Sequence, residues 1–132
     1  MEHAIPVLQA EDIDMKGVLV IAHGSRAKET EVVLDSIVSS VKAKLPDIHL
    51  ECAFMEFSER TIEKGISALA AKGVTEIKIA PYFLFTGIHI KKDIPHMIAE
   101  CSAIFPGINI IMGEPLGADD RLADILVDRI RA

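Results

Sequence analysis

Three residues that follow predicted strands could together bind a metal ion or transfer protons. His23 directly follows the apolar run GVLVIA, Glu56 follows the alternating run IHLECAFM, and His89 lies in the stretch PYFLFTGIHIKKDIP. Two neutral imidazoles and a carboxylate suit a divalent first-row metal such as cobalt, iron, nickel or zinc. They suit proton transfer equally well, because a histidine titrates near neutral pH and a nearby carboxylate can orient it or raise its pKa.

Each of these residues, taken alone, has a more ordinary explanation. A histidine at a strand end is usually a hydrogen-bonded structural residue, and an isolated glutamate is usually solvated. In an open parallel sheet, however, ligands bind beyond the carboxyl ends of the strands, at the switch point where the crossovers change faces. A sheet that brings His23, Glu56 and His89 to that edge favours a functional site.

Cationic, hydroxyl and apolar side chains near the two histidines could bind a ligand. A solvated surface is the ordinary explanation for Arg26, Lys91 and Lys92, and binding of ligand carboxylates is the sharper alternative. Gly24-Ser25, if it opens a helix, could bind an anion through backbone N–H groups. Residues that could form an apolar wall for a ring, or could simply belong to the core, are Phe83, Leu84, Phe85 and Ile88.

The tripeptide His23-Gly24-Ser25 gives little support to nucleotide binding or hydrolysis. The sequence around it lacks the GxGxxG and GxxxxGK[ST] spacings of phosphate-binding loops. Ser25 also lacks the GxSxG elbow of a serine hydrolase. A hydrolase or phosphoryl-transfer enzyme is therefore the weakest functional hypothesis.

Hydrophobic periodicity predicts four strands that alternate with four helices. Segment 17–22 is continuously apolar, as expected of a central strand, and segment 48–55 alternates, as expected at a sheet edge. The other strands are predicted at 76–84 and 108–112, and Pro81 should interrupt regular pairing. The pattern predicts an α/β domain of three αβα layers with a four-stranded parallel sheet, order 2-1-3-4, joined by right-handed crossovers.

The predicted helices carry apolar stripes that should face the sheet. In the first helix, 26–44, the inner face is predicted to comprise Leu34 and Val38 beside the row Val33, Ile37, Val41 and Leu45. The next two helices are predicted to begin at Ser58 and Asp93, with Pro95 in the first turn of the second. The last helix, 119–131, is predicted to bury Leu122, Ile125, Leu126 and Ile130.

Size and composition limit the possible classes of protein. The chain has 132 residues, enough for one ordinary domain, and we expect a single domain at 17–132 after an extension at 1–16. A net charge of -6 argues against nucleic-acid binding, and the absence of an apolar run of about 18 residues argues against a membrane span. Cys52 and Cys101 lie far apart in apolar surroundings and are expected to be reduced. Without a recognisable secretory signal, we expect a cytoplasmic protein.

Four segments of the sequence resemble the small type II chelatases, the CbiX and SirB sirohydrochlorin chelatases. They are VLVIAHGSR, FMEFSERTIEKGI, PYFLFTGIHIKKDIP and GEPLG, in the family's order. The resemblance implies a chelatase-type α/β fold and insertion of Co(II), Fe(II) or Ni(II) into sirohydrochlorin for cobalamin, siroheme or coenzyme F430 synthesis. It implies no organic cofactor, and the divalent metal is a substrate.

The same resemblance implies roles for particular residues and a partner. The family's two histidines fall on His23 and His89, and its acidic residue falls on Glu56, so these three would bind metal and accept the pyrrole protons. Ser25, Arg26, Phe85, Lys91 and Lys92 would bind the tetrapyrrole. Longer members contain two such lobes in one chain, and this implies a homodimer here. A non-catalytic metal or tetrapyrrole carrier is the alternative function.

Overall fold

A computed structural model describes residues 16–85 and 87–132. The predicted extension at 1–16 therefore lies outside the described residues, except for Lys16. Within these two ranges, four strands alternate with four helices, as predicted. The strands are β1 (Lys16–Ala22), β2 (His49–Phe54), β3 (Glu76–Pro81) and β4 (Asn109–Met112), and the helices are α1 (Glu29–Lys44), α2 (Ile62–Ala71), α3 (Ile88–Ile104) and α4 (Asp120–Arg131).

The strands form one parallel sheet in the order β2-β1-β3-β4, which confirms the predicted topology. Central β1 pairs with both neighbours, so that Val20 aligns with Cys52 of β2 and with Ala80 of β3. Strand β3 ends at Pro81, which lacks an N–H, but pairing with β1 continues for one more residue, because the Tyr82 N–H donates to the Ile21 carbonyl at 2.8 Å. The polar residues that follow β1 and β2 thus emerge side by side at one edge of the sheet.

Two separate cores cover the two faces of the sheet. On one face α2 and α3 pack against β1 and β3, and the buried residues include Leu19, Ile21, Ile66, Ile77 and Ile79. On the other face α1 packs against β1 and β2 through Leu34 and Val38. Both cysteines are buried and free, as predicted.

Three helices begin at other residues than the sequence predicts. Helix α1 begins at Glu29 rather than Arg26, and α2 begins at Ile62, where the Thr61 hydroxyl accepts a hydrogen bond from the Lys64 N–H at 3.2 Å. Helix α3 begins at Ile88 because extended Gly87 precedes it, so Pro95 lies inside the helix rather than in its first turn. The loops around the predicted site are consequently longer after β1 and shorter after β3.

Two predicted inner faces are not fully covered by residues 16–85 and 87–132. Leu34 and Val38 of α1 are buried, but Val33 and Ile37 remain 61% and 41% exposed. Helix α4 is described in full and has no buried residue, so the prediction that it buries an apolar stripe is wrong for the part of the chain that the structure describes. In the part of the chain that the structure describes, no helix is long and apolar enough to cross a membrane.

Candidate functional site

The ends of β1 and β2 bring His23 and Glu56 together. The Met55 N–H donates to the Ala22 carbonyl at 2.9 Å, and the Glu56 N–H donates to the His23 carbonyl at 3.1 Å. These bonds continue the parallel ladder beyond the regular strands. His23 Nε2 consequently lies 3.6 Å from Glu56 Oε2, and the two side chains remain 56% and 48% exposed. The pair is accessible to a ligand on its solvent side.

Gly24 allows the two strand ends to approach so closely. Its φ of +98° lies in the left-handed region, and a Cβ atom there would be 2.0 Å from the Glu56 carbonyl oxygen. Any side chain would therefore push the Glu56 backbone away from β1. The glycine in the His23-Gly24-Ser25 motif is required by packing between loops.

Residues after Gly24 hold the loop that carries Glu56. The Arg26 guanidinium lies 4.9 Å from the centre of the Phe57 ring, a cation–π arrangement. The Lys28 ammonium donates to the Phe57 carbonyl at 3.0 Å. Phe57 itself has a φ of 59°, which is uncommon for a residue with a side chain. These contacts fix the backbone next to Glu56.

Arg60 fastens the other end of this loop to α1. Its guanidinium donates to both carboxylate oxygens of Asp35, at 3.1 and 2.8 Å, and lies 3.6 Å from Glu31. This hydrogen bonding lowers the pKa of Asp35. Burial meanwhile raises the pKa of Cys52, which lies beside Arg60, to about 11. The sequence does not indicate the role of Arg60, because no periodicity links Arg60 with Asp35, 25 positions earlier.

His89 is the second residue of α3 and lies in the first helical turn after the β3 loop. The position of its side chain is outside what the structure describes, so its predicted part in a three-residue site stays a prediction. Among the described side chains, no group of three histidine, cysteine or acidic residues could hold a metal ion. His23 and Glu56 are the two predicted ligands that the structure brings together.

The basic and apolar residues predicted to bind a substrate have different environments. Lys91 and Lys92 are exposed in the first turns of α3, and Arg26 is exposed above Phe57. Phe85 is 84% exposed at the tip of the β3 loop, beside exposed Leu84 and Ile88. Phe83, which was also predicted to form the apolar wall, is buried in the core beneath α3. It therefore belongs to the core and not to an exposed wall.

Ser25 does not open a helix. Its Oγ accepts a hydrogen bond from the Ala27 N–H at 3.1 Å, and α1 begins at Glu29. The predicted helix start after Gly24 is therefore wrong, since a turn separates Ser25 from the helix. A cavity of about 400 Å³, lined largely by apolar atoms, lies between Ser25, α1 and Tyr82.

Comparison with known proteins identifies the family of the chain that contains His23 and Glu56. The family model named CbiX matches residues 17–132. The chain belongs to the CbiX family. The match begins within β1 and includes every described helix.

Relatives in this family are named as chelatases. A sirohydrochlorin ferrochelatase of Priestia megaterium is 39% identical over 88% of this chain and 44% of its own length. A sirohydrochlorin cobaltochelatase of Methanosarcina acetivorans is 34% identical over 87% of this chain and 94% of its own length. The crystal structure of the sirohydrochlorin chelatase SirB from Bacillus subtilis subspecies spizizenii, in complex with cobalt, aligns with a TM-score of 0.81 and 33% identity.

Coverage differs between these relatives. The alignment with SirB includes 88% of this chain and 50% of that chain. The chain thus spans about half the length of the ferrochelatase and of SirB, and nearly all of the archaeal cobaltochelatase. The family contains chains of both lengths.

Proposed function

We propose that this protein is a sirohydrochlorin chelatase, which inserts Co(II), Fe(II) or Ni(II) into the ring of sirohydrochlorin. The observation that carries the proposal is the solvent-accessible His23–Glu56 pair, at 3.6 Å, on adjacent strand ends of a CbiX-family chain. Relatives named for iron and for cobalt both support a chelatase, and they leave the choice among metals open.

The proposed chemistry exchanges one metal ion for two protons. The incoming M²⁺ loses water, and the two inner pyrrole nitrogens each lose a proton, so the charge of the ring centre is conserved. Neutral His23 Nε2 can bind the metal as it arrives or accept a proton, and the Glu56 carboxylate can do the same. We propose that His89, in the first turn of α3, supplies the second imidazole.

Side chains around the pair are proposed to hold the tetrapyrrole. Arg26, Lys91 and Lys92 would bind its peripheral carboxylates, since Arg26 is an exposed cation on the loop after His23 and the two lysines are exposed cations in the first turns of α3. The exposed ring of Phe85 would contact the apolar face of the macrocycle. Ser25 would contact the tetrapyrrole from the turn that lines the cavity beside Tyr82. The proposed reaction uses no organic cofactor.

We further propose that two copies of this chain form the working molecule. The chain corresponds to 44% and 52% of two ferrochelatase relatives, so two copies would match the length of one such relative. The cobaltochelatase of Methanosarcina acetivorans has nearly the length of this chain, since the alignment covers 94% of the cobaltochelatase. A homodimer would bring two loop regions to a shared ligand.

Metal insertion can be followed directly by absorbance. Sirohydrochlorin is mixed anaerobically at neutral pH with Co(II), Fe(II) or Ni(II), with and without the protein. The proposal expects faster conversion to the metallated ring in the presence of protein. Binding of metal or tetrapyrrole without acceleration would contradict the proposal and indicate a carrier.

A further inference from the structure

Two arginines near the candidate site lie over aromatic rings. The Arg60 guanidinium is 5.3 Å from the centre of the Phe54 ring, and the Arg26 guanidinium is 4.9 Å from the centre of the Phe57 ring. The negative face of a ring attracts a guanidinium and leaves the N–H groups at the edge of the guanidinium free for hydrogen bonds. The two arginines can therefore be compared as carboxylate binders.

Arg60 has its carboxylate within the chain. Its guanidinium donates to both oxygens of Asp35, at 3.1 and 2.8 Å, while it lies over Phe54. The fixed fork of N–H groups on a guanidinium matches the two oxygens of a carboxylate. Arg60 thus shows that an arginine over a ring in this fold binds a carboxylate through two hydrogen bonds.

Arg26 has the ring but lacks the carboxylate. Among residues 16–85 and 87–132, the ion pairs of arginines belong to Arg60 and Arg121, and Arg26 forms none. The hydrogen bonds that arginine side chains donate in these two ranges also come from Arg60 and Arg121. Because Arg26 is exposed to solvent, its N–H groups can bind a carboxylate from outside the described chain.

Neither burial nor backbone preference explains a phenylalanine at position 57. Phe57 is 45% exposed, and its φ of 59° is uncommon for a residue with a side chain. The Lys28 ammonium holds this backbone by donating to the Phe57 carbonyl at 3.0 Å. Backbone strain that the surrounding structure maintains is typical of functional sites. The ring over which Arg26 lies is therefore itself held in place.

The Arg26–Phe57 pair lies directly beside the candidate site. Arg26 is three residues after His23, and Phe57 immediately follows Glu56. His23 Nε2 and Glu56 Oε2 are 3.6 Å apart. Because Arg26 shares a loop with His23, and Phe57 shares a loop with Glu56, a carboxylate bound to Arg26 would place the rest of its ligand near His23 and Glu56.

We propose that Phe57 is a positioning residue, which holds the Arg26 guanidinium in place to bind one peripheral carboxylate of the tetrapyrrole. The inference rests on the proposed function and adds a specificity-determining residue to it. An arginine side chain that moves freely loses rotamer entropy when it binds, whereas a side chain already held by a ring loses less. The ring thus strengthens binding of a ligand that carries carboxylates, and it does so through Arg26.

Binding of metal-free sirohydrochlorin measures this effect without metal insertion. The dissociation constant, Kd, is obtained by an anaerobic fluorescence titration. Phe57→Leu removes the ring but keeps a large apolar side chain, and we expect it to raise Kd about fivefold. Phe57→Tyr keeps a ring beside Arg26 and should restore Kd to within about twofold of the unmodified value. The matched control Phe105→Leu, at the C-terminal end of α3, should leave Kd unchanged.

The same substitution in an Arg26→Gln background shows whether Phe57 acts through Arg26. Arg26→Gln should itself weaken binding about tenfold, because it removes charge-assisted hydrogen bonds. Phe57→Leu should then raise Kd by less than about twofold more, since the arginine that the ring holds is gone. An equal rise in both backgrounds would mean that the ring contacts the ligand itself, and this would overturn the positioning role. An unchanged Kd for Phe57→Leu alone would overturn it as well.

Turnover separates this inference from the proposed function. For Phe57→Leu we expect KM for sirohydrochlorin to rise while kcat stays the same, because the ring acts on binding and not on the exchange of metal for protons. A fall in kcat at unchanged KM would show that Phe57 positions Glu56 instead, and would overturn the inference. If the expected changes in Kd occur but the protein does not accelerate insertion, the proposed function fails and the inference stands. A protein that binds no sirohydrochlorin would overturn both.

Discussion

At the scale of single residues, the spacing of His23 and Glu56 depends on a glycine that does no chemistry itself. Gly24 lies against the Glu56 carbonyl at a φ of +98°, so a methyl group there cannot be accommodated without moving one of the two loops. The chemistry of the pair is therefore sensitive to a residue that bears no functional group.

Gly24→Ala should destabilise the fold and separate the pair. We expect a loss of about 3 kcal/mol in the free energy of unfolding, because the substitution adds a backbone clash to the cost of a left-handed conformation. Urea unfolding measures this loss. Gly73→Ala is the matched control, since Gly73 has a similar φ of +87° but nothing within 4 Å of its missing Cβ. The control should lose only about 1 kcal/mol, and equal losses would show that the clash is absent.

The sequence was sufficient to select His23 and Glu56, because residues that follow adjacent parallel strands meet at one edge of the sheet. It was not sufficient to predict the close approach at Gly24 or the positive φ of Phe57. These depend on how two loops pack, and no local pattern records such packing. The separation of Phe83, which is buried, from exposed Phe85 likewise depends on where β3 ends.

At the scale of elements, Arg60 joins the loop of Glu56 to α1. The guanidinium is bidentate to Asp35 and also lies 5.3 Å from the centre of the Phe54 ring. A planar guanidinium can make both contacts at once, whereas a lysine cannot. The anchor keeps the β2–α2 loop in place while its other end carries Glu56.

Arg60→Gln should destabilise the fold by about 1 kcal/mol at neutral pH, a modest value because Arg60 and Asp35 are 39% and 52% exposed to screening solvent. The loss of stability caused by Arg60→Gln should be smaller in acid than at neutral pH. Arg60 lowers the pKa of Asp35 from 3.8, so the pair stabilises the fold above pH 3.8 and loses this contribution as the pH falls through the lowered pKa. Urea unfolding at several pH values should therefore show the difference between the proteins shrinking in acid.

Lys72→Gln is a suitable control for the Arg60 variant. Lys72 forms a contact of 3.2 Å with Glu51, which joins the end of α2 to β2. Lys72→Gln should change the free energy of unfolding less than Arg60→Gln does at neutral pH. A difference for Arg60→Gln that stays constant into acid would contradict the assigned role of Asp35.

Strand order could be predicted at this scale, but helix boundaries could not. The continuously apolar β1 lies inside the sheet and the alternating β2 lies at its edge, as these patterns predict, although Cys52, Ala53 and Phe54 of β2 are all buried. Helix starts depend on capping at particular residues. Thr61, three residues after the predicted start at Ser58, caps α2, and extended Gly87 starts α3 before Asp93.

At the scale of the whole molecule, one face of the sheet is incompletely covered. The apolar periodicity in α1 and α4 predicts inner faces, but in the described residues Val33, Ile37 and the stripe of α4 are exposed, because periodicity does not determine whether a surface covers a helix face. The half-length match to the ferrochelatase relatives and the two exposed stripes agree with a second copy. The described residues therefore bring His23 and Glu56 together but leave the apolar stripe of α4 exposed.

The rate of metal insertion by His23→Ala tests the central claim most directly. His96→Ala is a matched control, because His96 also pairs with a glutamate, Glu100, at 3.4 Å on the surface but lies in the middle of α3, away from the strand ends. With sirohydrochlorin and Co(II) under anaerobic conditions, we expect His23→Ala to lose at least about 100-fold in rate, as expected for loss of a positioned proton acceptor. His96→Ala should insert metal at the unmodified rate. Equal rates for His23→Ala and the unmodified protein would contradict the assignment of His23 and Glu56 to the reaction.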